Sequence, residues 1–222
     1  GETEHFQDKN MYGRRPNGVY VPRYQNIGSD KRDFLRGFGY QGGGGRSNMG
    51  GLEHVAEYAF GADFKNAVGT PGKWTMALGG FGEMLPNFDN RVYIDKSKKD
   101  KWGQPVLAVD CSYGDNETKM RKAMMDDAAE MLEIAGLKNV STFDGGCTPG
   151  MAIHEMGTAC MGNDPKTSVL NKWNQMHEVK NVFIPDGSFM DSTACQNPSL
   201  SYMAFTARAA DYAVSELKKN NI

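Results

Sequence analysis

Arg91 to Cys111 reads RVYIDKSKKDKWGQPVLAVDC, and Glu117 to Ala135 follows as ETKMRKAMMDDAAEMLEIA. In the first stretch apolar and polar residues alternate, with Val92 and Ile94 on one face, and Val106 to Cys111 forms a second run. Such period-two alternation is the signature of half-buried strands. The charged link Lys96 to Gly103 joins the two runs, and its closing glycine suits a solvated hairpin loop rather than a basic binding patch. In the second stretch Met120, Met124, Ala128, Leu132 and Ala135 recur at helical spacing, and Gly136 stands where glycine commonly closes a helix. Asp126, Asp127, Glu130 and Glu133 alternate with Lys119, Arg121 and Lys122 on the polar side, which favours core packing over a membrane-surface or calmodulin-type helix. Strands followed by an amphipathic helix predict an α+β fold, an antiparallel sheet with covering helices.

Upstream, Thr75 to Leu78 adds a strand and Val19-Tyr20-Val21 a short one ahead of Pro22, while residues 1 to about 72 carry little periodicity. The run Gly42-Gly43-Gly44-Gly45-Arg46-Ser47 lacks the G-K-[ST] ending of a phosphate loop, so a tight loop with positive backbone angles is expected there. Downstream, a glycine-rich stretch (Asp144 to Gly150) leads through His154 to an apolar run, Val182-Phe183-Ile184, that reads as a strand ending at Pro185-Asp186-Gly187. A second helix is expected from Pro198 to about Lys218, with Asn197 as N-cap. Leu200, Met203, Ala204, Ala207 and Ala210 would form its narrow packing face.

The chain has 222 residues, enough to bury a core, and its 25 basic against 27 acidic residues give a formal charge of -2. With no bulk positive field, nucleic acid is not an expected partner. No stretch approaches the ~20 apolar residues of a membrane span, and the start lacks the pattern of a signal peptide. A soluble chain, cytoplasmic or periplasmic, is expected. Gly1 in place of an initiating Met leads to the expectation that the natural protein begins further upstream. Cys111, Cys147, Cys160 and Cys195 stand far apart with no C-x-x-C pair, which fits free thiols rather than a zinc or redox site.

His154 sits among small residues (Gly150, Ala152, Gly157) between predicted elements, where an imidazole can face a cleft and act as an acid or base. Thr158 stands where H-E-x-x-H would need its second histidine, so a metalloprotease is rejected and no metal site is expected. Asn197-Pro198 opens a long helix whose unpaired N–H groups and partial positive charge would favour an anionic ligand. Asp186-Gly187 after a strand fits either a binding turn or an ordinary one. Trp74, Trp102, Tyr40 and Phe81 are candidates for sugar stacking, with core packing as the plainer reading.

Taken together, His154-Glu155-Met156-Gly157-Thr158, Met161-Gly162, Asp186-Gly187-Ser188, Asn197-Pro198-Ser199-Leu200 and Arg208-Ala209-Ala210-Asp211 resemble the C-terminal region of glucose-methanol-choline (GMC) oxidoreductases. The resemblance is strongest from about Gly150 to Leu217. It implies that residues 1–145 form a substrate-binding domain and residues 146–222 a C-terminal segment that completes an FAD-binding domain. It further implies FAD as cofactor, His154 as the catalytic base with Asn197 beside it, backbone around Asp186 and Gly187 near the FAD diphosphate or ribityl chain, and Asn197 and Pro198 near the isoalloxazine. The chain departs from the family in one respect: the G-x-G-x-x-G unit that binds ADP, with its acidic residue about twenty positions on, is absent.

The resemblance thus implies an oxidoreductase acting on a CH–OH donor, a sugar, glycoside or other alcohol, as in sugar dehydrogenases. The missing N-terminal FAD-binding part of the same protein is an expected partner, and an electron-acceptor protein is another. The rival reading is a non-catalytic carbohydrate-binding or interaction module that keeps the fold.

Overall fold

A computed structural model describes residues 1–3, 18–46, 60–69 and 72–222. Ser47, at the end of the glycine run, lies outside the described residues. The chain divides into two compact units. One comprises Gly1–Asp33, Gly37–Phe81 and Lys119–Asp144, the other Phe34–Arg36, Gly82–Thr118 and Gly145–Ile222. The last crossing between them lies beside position 145.

The first unit holds a four-stranded sheet in the order β1-β4-β3-β2, from β1 (Glu2–Thr3), β2 (Val19–Val21), β3 (Phe38–Arg46) and β4 (Trp74–Gly82). β1 runs antiparallel to β4 with Glu2 opposite Thr75, and β2 antiparallel to β3 with Tyr20 opposite Gln41. A short helix, α1 (Gly61–Gly69), precedes β4. The glycine run therefore forms the end of a strand, not the tight loop its composition suggested. Its reason is close approach: a Cβ on Gly42 would strike the Ala77 carbonyl, and one on Gly18 would lie 2.6 Å from the Gly42 carbonyl. Glycine here lets neighbouring backbones meet at distances that side chains forbid.

Residues Asp115–Ile134 form α2, which contributes Lys119 onward to the first unit. Met120 and Leu132 are buried as the spacing predicted, together with Phe38 and Tyr40 of β3. Each such side chain taken from water adds about 1.5–3 kcal/mol. The Phe38 and Tyr40 rings meet edge-on at 5.5 Å, and the Tyr40 hydroxyl donates to the Met124 carbonyl at 2.7 Å. Asp127 accepts from the Tyr24 hydroxyl at 2.6 Å and pairs with Arg32 at 3.4 Å. Burial first, then the Asp127 bond and charge, pushes the Tyr24 phenol up to about 12. Gly136, at φ +89°, donates to the Glu133 carbonyl while Leu137 donates to that of Leu132, a Schellman closure.

Within the second unit, β5 (Arg91–Lys99) and β6 (Pro105–Asp110) form a two-stranded antiparallel sheet of their own. The expected loop from Lys96 to Gly103 is shorter than the charge pattern indicated, because β5 continues through Lys99. Asp100 makes the turn: its carboxylate accepts from the N–H groups of Trp102 and Gln104, and Gly103 takes φ +81°. Trp102 on this turn is 74% exposed, whereas Tyr40 is core, so these two aromatics do not belong to one stacking surface.

Val182-Phe183-Ile184 contributes a single bridge, Gln175 to Phe183, rather than the expected strand. The partner run cannot extend, because the chain turns at Asn174, which takes φ +61°. The final helix, α3 (Ser199–Lys218), is capped at Pro198 and not at Asn197, with no side-chain cap bond. Pro198 is itself outside helical geometry, at φ -91° and ψ 3°, and its carbonyl already accepts from Tyr202 N. The residues of α3 packed inward are Tyr202 and Phe205, against Ala159, Leu170 and Phe189, and Ala209 is buried as well. The expected face is outside: Leu200 is 78% and Met203 68% exposed, and Ala204, Ala207 and Ala210 are also exposed. Two apolar stripes share this helix on nearly opposite faces, roughly 160° apart, and the aromatic one fills the core of the unit. Among the described residues no helix is long and apolar enough to cross a membrane.

Candidate functional site

His154 lies in a loop whose backbone takes three left-handed positions, Gly150 at φ +84°, Ile153 at φ +60° and Gly157 at φ +88°. Glycine adopts such angles freely, but a β-branched residue does so only under strain of roughly 1–3 kcal/mol. The strained Ile153 stands directly before His154. Local contacts hold the loop: Glu155 accepts from Ala152 N at 2.6 Å, and Met151 N donates to the Thr148 carbonyl. At the loop's start, a Cβ on Gly150 would lie 2.5 Å from Val109 of β6, so this end is seated on the hairpin. His154 is half-buried, and neither it nor the exposed Asn197 has a side-chain hydrogen-bond partner among the described residues.

After His154 the chain runs beside the turn that holds Asp186. Ala159 N donates to the Ser188 carbonyl and Met161 N to that of Phe189. Asp186 caps the short 3-10 helix Gly187–Phe189, accepting from both the N–H and the hydroxyl of Ser188. Gly187 is tightly enclosed: a Cβ there would be 2.6 Å from the Tyr202 hydroxyl, 3.0 Å from the Met156 sulfur and 3.1 Å from the Glu155 carbonyl. Tyr202 in turn donates to the Met156 sulfur at 3.6 Å. Burial raises its phenol, and the charges of Asp186 and Glu155 add to that.

The segment after His154, the Asp186-Gly187 turn and the first turn of α3 therefore meet at Tyr202. Asn197 and Pro198 immediately precede that helical turn. No hydrogen bond joins His154 to Asn197. The first turn of α3 carries no acidic residue and no side-chain cap, so its N–H groups point outward as donors for an acceptor or an anion. Asp186 and Gly187 differ in this respect. The Asp186 carboxylate is engaged with Ser188, the open side of Gly187 is filled by Tyr202, and both carbonyls accept from Phe189 N and Met190 N, which leaves their backbone N–H groups as the part able to meet a ligand.

Sequence reasoning passed over Tyr202 and Asn174. Tyr202 carries no motif signal beyond being the aromatic residue of the first helical turn, and Asn174 reads as one more polar residue in the run Asn171 to Gln175. The four cysteines are free thiols. Burial, reinforced by Asp191, pushes the Cys160 thiol up to about 11, which keeps it protonated and unreactive at neutral pH. Among the described residues no group of three His, Cys, Asp or Glu side chains is placed to hold a metal ion.

The sequence profile of the family described as GMC oxidoreductase matches residues 86–206. A 2-methyl-1,2-propanediol dehydrogenase from Mycolicibacterium austroafricanum is 37% identical over 133 residues, which are 60% of this chain and 24% of that protein. Paromamine 6'-oxidase from Streptomyces fradiae is 32% identical over 132 residues, again 60% and 24%. The fructose dehydrogenase large subunit of Gluconobacter japonicus is 31% identical over 139 residues, 62% of this chain and 25% of that one. The match thus spans about a quarter of the length of these relatives. Since the family profile covers more than half of the chain, in the C-terminal region to which the His154-to-Asp211 motifs pointed, the chain belongs to the GMC oxidoreductase family.

Proposed function

We propose that the chain is the C-terminal part of an FAD-dependent oxidoreductase that oxidises the CH–OH group of a sugar, glycoside or other alcohol. The observation that carries this reading is the meeting of three motif segments at Tyr202, which brings the His154 loop, the Asp186-Gly187 turn and the Asn197-Pro198 helix start into one neighbourhood. The names of the relatives support the donor class: a propanediol dehydrogenase, a paromamine oxidase and a fructose dehydrogenase subunit.

The residues present suit FAD. The open N–H groups at the start of α3, with Asn197 and Pro198 ahead of them, would meet the electron-rich end of the ring system, and the backbone at Asp186 and Gly187 the diphosphate or ribityl chain. FAD, when bound, supplies the acceptor for the hydride leaving the carbinol carbon. His154 takes the hydroxyl proton on an imidazole nitrogen, so that the hydride departs from a carbon bearing developing alkoxide character. The Asn197 side-chain amide donates a hydrogen bond to that oxygen and stabilises its growing negative charge.

Residues 146–222 would complete a flavin domain whose ADP-binding part lies elsewhere in the protein, with residues 1–145 serving the substrate. The exposed stripe of Leu200, Met203, Ala207, Ala210, Val214 and Leu217 on α3 supports this, since it has the spacing of a helix face built to be covered. An electron-accepting protein is a further partner of this reading, supported by the relative named as a large subunit. The test is anaerobic reduction of the flavin in the assembled protein by a panel of sugars and diols. His154→Ala should retain FAD and lose reduction by about 10²–10⁴-fold. Near-native reduction in that variant would remove His154 from the mechanism.

A further inference from the structure

Asn174 is fully buried, at 0% exposure, and takes a left-handed φ of +61° that asparagine tolerates better than most residues. It grips Ile184 from both sides: its carbonyl accepts from Ile184 N at 2.9 Å and its side-chain amide donates to the Ile184 carbonyl at 3.1 Å. Its remaining side-chain oxygen accepts from the Arg208 guanidinium at 3.3 Å. Among the described residues this is the one oxygen that Arg208 reaches. The guanidinium is held in turn between Phe205 at 4.4 Å and Trp173 at 5.8 Å, and Trp173 stacks on Tyr212 at 4.8 Å and 5°. The same helix therefore holds the turn at Asn174 through Phe205, Arg208 and Tyr212, and the Gly187 turn through Tyr202.

We infer that Asn174 and Arg208 are a positioning pair: they fix Ile184, and with it the Asp186-Gly187 turn two residues on, at a set height against α3. The inference rests on the reading that this turn and the start of α3 hold FAD. Two structural facts make the pair more than packing. The buried carboxamide spends its donor on Ile184 and its acceptor on Arg208, and neither an aspartate nor an aliphatic side chain of similar size offers both. Among the described residues Arg208 has no carboxylate partner; its guanidinium donates to the Asn174 amide oxygen at 3.3 Å and to the Met161 sulfur at 3.8 Å, and a charge-assisted bond to an oxygen is the stronger kind. The turn is then held by a hydrogen-bonded strut rather than by apolar contacts, which tolerate sliding.

The variants are Asn174→Gly, which keeps the left-handed backbone and removes the amide, Asn174→Asp, which keeps an acceptor for Arg208 and loses the donor to Ile184, and Arg208→Lys, which keeps the charge and loses the planar fork. In the assembled protein, Asn174→Gly and Asn174→Asp should weaken FAD binding at least tenfold and change the visible circular dichroism of bound flavin, with far-ultraviolet dichroism unchanged and Arg208→Lys in between. In the chain alone, amide hydrogen exchange at Ala159, Phe189 and Met190, whose N–H groups bond to this turn, should accelerate at least tenfold. A lowered melting temperature with unaltered flavin affinity, flavin dichroism and exchange at these amides overturns the inference. Where a variant at 174 does not fold, Arg208→Lys decides by the same readouts. If the wild-type protein takes up no FAD, the functional reading fails, and the exchange experiment alone decides whether the pair holds the turn.

Discussion

Helices α2 and α3 are equally long, and both carry an apolar stripe at helical spacing, yet α2 buries Met120 and Leu132 of its expected stripe, with Met124 and Ala128 half-buried and Ala135 exposed past its end, whereas α3 presents its expected stripe to solvent. On α2 the residues Met120 and Leu132 are buried, in a unit that also buries Phe38 and Tyr40. On α3 the smaller stripe from Leu200 to Leu217 is outside, while Tyr202 and Phe205 pack against Leu170 and Phe189. Periodicity reports that a face is apolar. It does not say which covering chain supplies the other half, and when two stripes compete, the larger aromatic side chains take the core that lies within the unit.

This contrast predicts how substitutions should rank in thermal or denaturant unfolding of the chain. Leu132→Ala on α2 should have the largest effect, a loss of about 2–5 kcal/mol from lost burial and a residual cavity. Next comes Glu117→Gln at the start of α2. Burial pushes the Glu117 carboxyl up, but the N–H groups of Leu85 and Gly114 that it accepts outweigh this and hold it below its ordinary range. A carboxyl whose folded value is depressed stabilises above its unfolded pKa and loses that contribution as pH falls through the folded value. The variant should therefore cost about 1.5–3 kcal/mol at neutral pH, and the difference from wild type should vanish in acid; an equal loss at both pH values would show that the charge is not involved. Gly136→Ala, at the left-handed closure of α2, should cost about 1 kcal/mol, read from the same curves. Smallest of all, Leu200→Ser and Met203→Ser on α3 should change the stability of the chain by no more than about 0.5 kcal/mol, while weakening its association with the remainder of the flavin domain. A large loss from either in the chain alone would mean that the α3 stripe is already covered, and the comparison would fail.

Much of this was legible in the sequence because it depends on local rules. The Gly136 closure, the β5 and β6 strands and the buried face of α2 follow from spacing and from the conformational freedom of one glycine. What was not legible depends on distant partners. Gly42 of β3 is required by the Ala77 carbonyl across the sheet, whereas Gly45 has open space around it, and nothing in residues 42–45 announces that difference. Val182-Phe183-Ile184 has strand composition, but its partner turns away at Asn174. Asn197 is a good cap by residue type, yet Pro198 takes the position because its own carbonyl begins the hydrogen-bond ladder. In the candidate site the motif residues themselves were readable, whereas Tyr202 and Asn174, which hold the motif segments together, carry no signature outside three dimensions.

The proposed function is tested most directly by a visible absorption titration of this chain with FAD, alone and combined with the ADP-binding part that the proposal calls for, followed by anaerobic addition of a sugar or diol. Stoichiometric flavin binding should require both parts, and bleaching of the flavin band by an alcohol should depend on His154. Absence of flavin binding in the combined protein, or bleaching that is indifferent to His154→Ala, would contradict the proposal.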